Sequence, residues 1–280
     1  MKLVKAHGYG NDFILIAAAD APAEPSPWVR RLCDRHKGVG GDGVILHSKV
    51  PGGVSLQLWN ADGGLVELSG NGTRCLAALA VREGWAPPKH TVFTVSGPRP
   101  VEVTALGGSL YRVLTDLGPA ILASDEVPVV LEPRQPRVVD HPIAVGDETV
   151  RVTATSLGNP HCAVFVDAPL GEARFSALGP ALERHPFFPK GTNVEFVRVV
   201  ARGEIRVQFW ERGVGYTQSS GTGSASAAVA AIVKGLVDRE LRVVCDGGTL
   251  EVSWPEGGHV RQIGEAEILF DAEWRPTSRS

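Results

Sequence analysis

Apolar and polar residues alternate along Val54-Ser55-Leu56-Gln57-Leu58 and along Ile205-Arg206-Val207-Gln208-Phe209. A period of two marks a half-buried strand. Val92-Phe93-Thr94-Val95, Val101-Glu102-Val103 and Leu241-Arg242-Val243-Val244 also read as strands. Two segments follow another pattern. Thr73 to Val81 and Ser224 to Ile232 are rich in Ala, Leu and Val, with few polar positions on any face. A helix that is apolar all round is a buried helix, and small side chains let other elements approach it closely. Many short strands around one such helix predict an α+β fold in which a curled mixed or antiparallel sheet wraps a central helix. The four prolines between Pro128 and Pro142 predict turns and edge segments.

The pattern occurs twice. Ser69-Gly70-Asn71-Gly72 opens the first helix, and Ser220-Gly221-Thr222-Gly223 opens the second, 151 positions later. Trp59 and Trp210 each stand ten positions before their motif. Gly10-Asn11 matches Gly158-Asn159, Arg35-His36 matches Arg184-His185, and Val44 matches Val194, with offsets of 148 to 150. Ordered matches with a slowly drifting offset are the mark of a duplication. The chain is therefore read as two pseudo-symmetric lobes, 1–117 and 118–263, with a C-terminal segment, 264–280, packing back on the first.

Composition narrows the function. The 280 residues carry 28 Lys+Arg against 31 Asp+Glu, a net charge of −3, which argues against a strongly electrostatic nucleic-acid or membrane binder. The longest apolar run, Ala225 to Val237, is interrupted by Lys234 and falls short of the ~18 residues that span a bilayer. The N-terminal residues show no signal-peptide pattern. Cys33, Cys75, Cys162 and Cys245 are far apart and form no CxxC pair. The expectation is a cytoplasmic protein without a disulfide framework. Asp62, His161 and Glu211 match no metal-ligand spacing, so no metal is expected.

Each Ser-Gly-x-Gly motif sits at a helix start, where the first amides have no intrahelical partner and the helix dipole favours an anion. A serine there can simply be an N-cap. The repeated pair, glycine-rich beyond what capping needs, suggests instead two loops facing one cleft and holding a carboxylate. Asn11, Asp12, Asn60, Asp62, Asn71, Asn159, His161, Asn193, Glu211 and Arg212 fall at predicted strand ends or glycine turns. Each Asn alone suits turn geometry; together they offer the donors and acceptors that an amino-acid-like ligand needs. His161 reads equally as a core histidine.

The strings His7-Gly8-Tyr9-Gly10-Asn11-Asp12-Phe13, Cys33-Asp34-Arg35-His36-Lys37-Gly38-Val39-Gly40-Gly41-Asp42-Gly43, Asn60-Ala61-Asp62-Gly63 and Gly70-Asn71-Gly72-Thr73-Arg74-Cys75 follow one another in order. So do Gly158-Asn159-Pro160-His161, Gly191-Thr192-Asn193-Val194-Glu195-Phe196, Trp210-Glu211-Arg212-Gly213-Val214-Gly215 and Gly221-Thr222-Gly223. In these strings, across nearly its whole length, the chain resembles the diaminopimelate epimerases. The resemblance implies a cofactor-free isomerase that inverts an amino-acid α-carbon, LL- to meso-diaminopimelate, on the lysine and peptidoglycan route. It implies substrate contacts from Asn11, Asn60, Asn159, Asn193, Glu211 and Arg212, and amides of Gly70, Asn71, Gly221 and Thr222 on the α-carboxylate. It implies catalytic roles at positions 69 and 220, with His161 and Glu211 beside them. It implies a small-molecule amino-acid substrate as partner, with no nucleic acid or membrane, and leaves a homodimer open.

Two positions depart from the pattern. The family's two proton-exchanging cysteines are here Ser69 and Ser220, and its Glu-Thr after Gly215 is Tyr216-Thr217. A thiol has a pKa near ~8.5, and an alkyl hydroxyl, like water, holds its proton far more tightly. The gap is roughly seven units, about 9–10 kcal/mol at ~1.36 per unit, and so exceeds the up to ~5 units by which a site shifts a pKa. A serine needs a general base beside it. Cys75, inside the predicted helix, reads as structural. Three readings stay open: an epimerase with another base arrangement, a different isomerase on the same scaffold, or an amino-acid-binding homologue without turnover.

Overall fold

The computed structural model describes residues 1–66 and 69–275. The chain divides into two compact units, Met1–Thr115 together with the chain from Gly264, and Asp116–Ile263. Of the expected C-terminal segment, residues 276–280 lie outside the described residues.

The first unit runs β1 (Lys2–Gly8), β2 (Asn11–Ala17), α1 (Pro25–Cys33), β3 (Gly43–Val50), β4 (Gly53–Asn60), β5 (Leu65–Val66), α2 (Gly70–Arg82), β6 (Lys89–Thr94), β7 (Gly97–Gly107) and β8 (Leu110–Gly118) as far as Thr115. The second runs β9 (Val138–Val145), β10 (Glu148–Ser156), β11 (Pro160–Phe165), α3 (Glu172–Glu183), β12 (Asn193–Ala201), β13 (Glu204–Glu211), β14 (Gly215–Thr217), α4 (Gly221–Val233), β15 (Glu240–Cys245), β16 (Gly248–Ser253) and the start of β17 (Val260–Glu273). From Gly264 onward β17 belongs to the first unit, where it pairs antiparallel with β1, Lys2 opposite Glu273.

The duplication extends to strand pairing. β2 and β3 are parallel, Phe13 opposite Gly43; β11 and β12 are parallel, His161 opposite Asn193. Val44 pairs with Trp59 in the antiparallel β3–β4 ladder, and Val194 with Trp210 in β12–β13. β4–β6 and β13–β15 are the matching parallel pairs. The alternation seen in the sequence puts Val54, Leu56 and Leu58 inside the first unit, and Ile205, Val207 and Phe209 inside the second. β9 flanks β10 antiparallel as β17 flanks β1, although the two strands come from different places in the chain.

Each sheet curls around its own helix. Residues 70–80 of α2 and 221–231 of α4 are all buried. Leu76 and Leu79 are wholly enclosed with Leu56, Val92 and Val113, each contributing about 2 kcal/mol by burial. Ala225, Ala227, Ala228, Ala230 and Ala231 pack against Val207, Phe209 and Val243. Cys75 lies inside α2 with no exposure, and burial pushes its thiol up to about 12. Arg74 is the exception to the apolar helix: a fully buried guanidinium in the same turn. No helix among the described residues is long and apolar enough to cross a membrane.

Candidate functional site

Both helices start in the same way. Ser69 is extended (φ −134°, ψ 122°) and its Oγ accepts the Gly72 amide at 3.1 Å. Ser220 is extended (φ −129°, ψ 125°) and its Oγ accepts the Gly223 amide at 3.2 Å. Their carbonyls accept from the amides of Thr73 and Ser224 at 2.9 and 3.0 Å. Capping thus occupies the third and fourth amides of each helix. The amides of Gly70 and Asn71, and of Gly221 and Thr222, begin the first turn, where the dipole gathers positive potential. Both serines are therefore N-caps, and the dipole favours an anion at each helix start.

In the first unit the polar residues form one chain of hydrogen bonds. The Asn71 side chain donates to Asn11 Oδ1 at 3.1 Å, and Asn11 donates to Asp42 Oδ2 at 2.8 Å. Arg74 donates to Asn71 Oδ1 and to the Glu265 carbonyl, with the Tyr9 ring over its guanidinium. Arg35 bridges Asp12 and Asp42, and Lys5 pairs with Asp12 and donates to the Gly40 carbonyl. Burial works against an ionised Asp12, but the hydrogen bonds and charges of Arg35 and Lys5 outweigh it and hold the carboxyl at about 2. Asn71 thus sits in the first turn of α2 and not at a strand end or glycine turn, as its sequence neighbours suggested. Asn60 closes β4, its backbone tied to Gly64 and Gly63, and the Asp62 side chain accepts the Gly64 amide. These two share a turn that joins the cluster through the backbone, the Ala61 amide donating to the Asp42 carbonyl at 2.9 Å.

The second unit gathers more of the expected residues. Asn159 donates to Thr222 Oγ1 at 3.4 Å, and its Oδ1 lies 3.0 Å from His161 Nε2. His161 Nδ1 lies 2.7 Å from Glu195 Oε1. Asn193 donates to the Pro160 carbonyl and accepts the Arg212 amide, both at 3.0 Å. The Arg212 guanidinium donates to the Lys190 carbonyl. Glu183 anchors this loop: it accepts from Trp210 Nε1 at 2.8 Å and from the Gly213 amide at 2.9 Å. Glu211 ends β13, paired with Gly215. Tyr216, half exposed, donates to Asp246 at 2.8 Å.

Sequence reasoning gave no role to Glu195, Asp42 or Arg74. Glu195 is 1% exposed, and burial pushes its carboxyl up, with His161 and the Cys162 amide pulling it partly back. A buried carboxylate in a strand of Val and Phe was the available signal.

Comparison with known proteins adds a family. The diaminopimelate epimerase model matches residues 3–123 and 153–269. A diaminopimelate epimerase of Desulforudis audaxviator is 41% identical over 279 residues, 98% of this chain and 99% of its own length. One from Pelotomaculum thermopropionicum is 38% identical over the same shares. Among solved structures, a hydroxyproline epimerase from Agrobacterium vitis, with bound trans-4-hydroxy-L-proline, superposes with a TM-score of 0.69. It covers 97% of this chain and 90% of its own at 15% identity, which speaks for the fold alone.

Proposed function

The chain belongs to the diaminopimelate epimerase family, and on that premise we propose that it is a cofactor-independent epimerase that inverts an α-carbon of diaminopimelate. Inversion breaks the Cα–H bond on one face, leaves the electron pair delocalised into the α-carboxylate, and forms a new Cα–H bond on the other face. Two acid–base groups are needed. The reading assigns them to the Ser69 and Ser220 positions. The amides of Gly70, Asn71, Gly221 and Thr222 would meet the charge that develops on the carboxylate. Asn11, Asn60, Asn159, Asn193, Glu211 and Arg212 would hold the rest of the substrate, with His161 and Glu211 as acid–base partners. The observation that supports this best is the identical capping of α2 and α4, a duplicated anion-favouring helix start.

The hydroxyls set the rate. Their high pKa makes proton transfer slow in the chain as it stands, and both already serve as caps. That second fact favours a further reading, amino-acid binding without turnover. A homodimer and a cytoplasmic location are part of the proposal by family pattern. The test is α-proton exchange of diaminopimelate in heavy water, with calorimetric titration alongside. We expect binding with slow exchange in the unaltered chain, and faster exchange in the Ser69→Cys/Ser220→Cys variant. Binding without exchange in either protein supports the binder. Neither heat nor exchange overturns both.

A further inference from the structure

We propose that Glu195 is a positioning residue for His161, holding the imidazole with Nδ1 toward its carboxyl and Nε2 toward Asn159 at the start of α4. The inference rests on the reading above that gives His161 an acid–base role.

Strand register brings the two together. On parallel β11 and β12, His161 stands opposite Asn193 and Ala163 opposite Glu195. Alternation puts His161 and Ala163 on one face of β11, and Asn193 and Glu195 on one face of β12. His161 therefore meets Glu195 on the diagonal, at 2.7 Å, with both side chains 1% exposed.

The two contacts of the ring fix its proton count. Each imidazole nitrogen faces an oxygen, Glu195 Oε1 on one side and Asn159 Oδ1 on the other. Each contact needs a proton between its atoms. The pair then holds two protons and no net charge, as imidazolium beside carboxylate or as imidazole beside acid. A neutral total is what a buried pair can sustain. The ring cannot turn without giving up a hydrogen bond, so its orientation is set.

The pair also stands at the helix start. A Cβ placed on Gly223 would come within 2.8 Å of Ser220 Oγ and 3.1 Å of Glu195 Oε1. The capping serine and the carboxyl thus border the same point, kept open by a glycine. Glu195 Oε2 is buried without a hydrogen-bond partner among the described residues. A carboxyl placed only to stabilise a core would be expected to use both oxygens. This carboxyl commits Oε1 to His161, and that same oxygen borders Gly223 at the start of α4.

The experiment is nitrogen NMR of the intact chain with labelled histidine, the His161 signals assigned by their loss in His161→Gln. We expect the Nδ1 signal to report a proton carried by that nitrogen or shared with Glu195. Glu195→Leu, which can neither accept nor donate, leaves Nε2 as the one protonated nitrogen. Glu195→Gln, which keeps the shape and can donate to Nδ1, leaves Nε2 protonated and Nδ1 an acceptor, and carries the test if the Leu variant does not fold. A ring whose nitrogen signals ignore both substitutions overturns the proposal. In the Ser69→Cys/Ser220→Cys background, Glu195→Gln should lower kcat for α-proton exchange roughly 10- to 100-fold, a share of the ~10²–10⁴ from positioned acid–base groups, with KM nearly unchanged. A ring that responds to Glu195 in a chain that neither binds nor exchanges diaminopimelate upholds the positioning role and removes the epimerase reading. Exchange that persists with an unresponsive ring does the reverse.

Discussion

Ser220 Oγ accepts the Gly223 amide at 3.2 Å, a bond reproduced by Ser69 and Gly72 at 3.1 Å. The side chain at each of these positions is thus committed to holding a helix end, whatever chemistry it also serves.

Ser69→Ala and Ser220→Ala should each therefore lower unfolding free energy by about 1 kcal/mol. Urea titration of the single variants measures it. Two variants as stable as the parent would mean that the caps contribute nothing to the fold.

Asp12 gives a pH-dependent expectation. Its carboxyl, 14% exposed, is held at about 2, against ~3.9 in an unfolded chain. A lowered folded pKa stabilises fully above the unfolded value and is lost as pH falls through the folded one. The pH-dependent part of the advantage over Asp12→Asn should be roughly 2 kcal/mol at neutral pH. It should shrink below about pH 4 and vanish below about pH 2. Paired denaturation curves across that window check it; a constant difference would contradict the ion-pair assignment.

Gly179 lies in α3, where an added Cβ would stand 2.4 Å from the Trp210 ring. Gly179→Ala gains up to about 1 kcal/mol in helix propensity, but overpacking costs about 1–3 kcal/mol, and at so short a distance the cost should win. Moving Trp210 would also disturb its bond to Glu183, and with it the loop carrying Glu211 and Arg212. Lower stability together with weaker diaminopimelate binding in calorimetry is expected. Unchanged affinity would detach Trp210 from the site.

Much of this arrangement was legible in the sequence, because its signals are local. Strand alternation at Val54–Leu58 and Ile205–Phe209, the apolar helices and the serines before them all lie within a few residues of one another. The pairings that cross the chain were not. His161 and Glu195 are 34 positions apart and meet only through the parallel register of β11 and β12. Arg74 reads as an ordinary polar position of a helix, yet its carbonyl partner, Glu265, is 191 residues away. Asn71 looked like a turn residue because glycines flank it. In the fold, those glycines belong to the helix.

The first unit is assembled from both ends of the chain, with β1 laid against the last strand, Lys2 opposite Glu273. During synthesis the N-terminal sheet must wait with an open edge, while the whole second unit emerges and can close. A nascent chain stopped before Gly264 would leave β1 without that neighbour and the buried Arg74 without the Glu265 carbonyl it reaches.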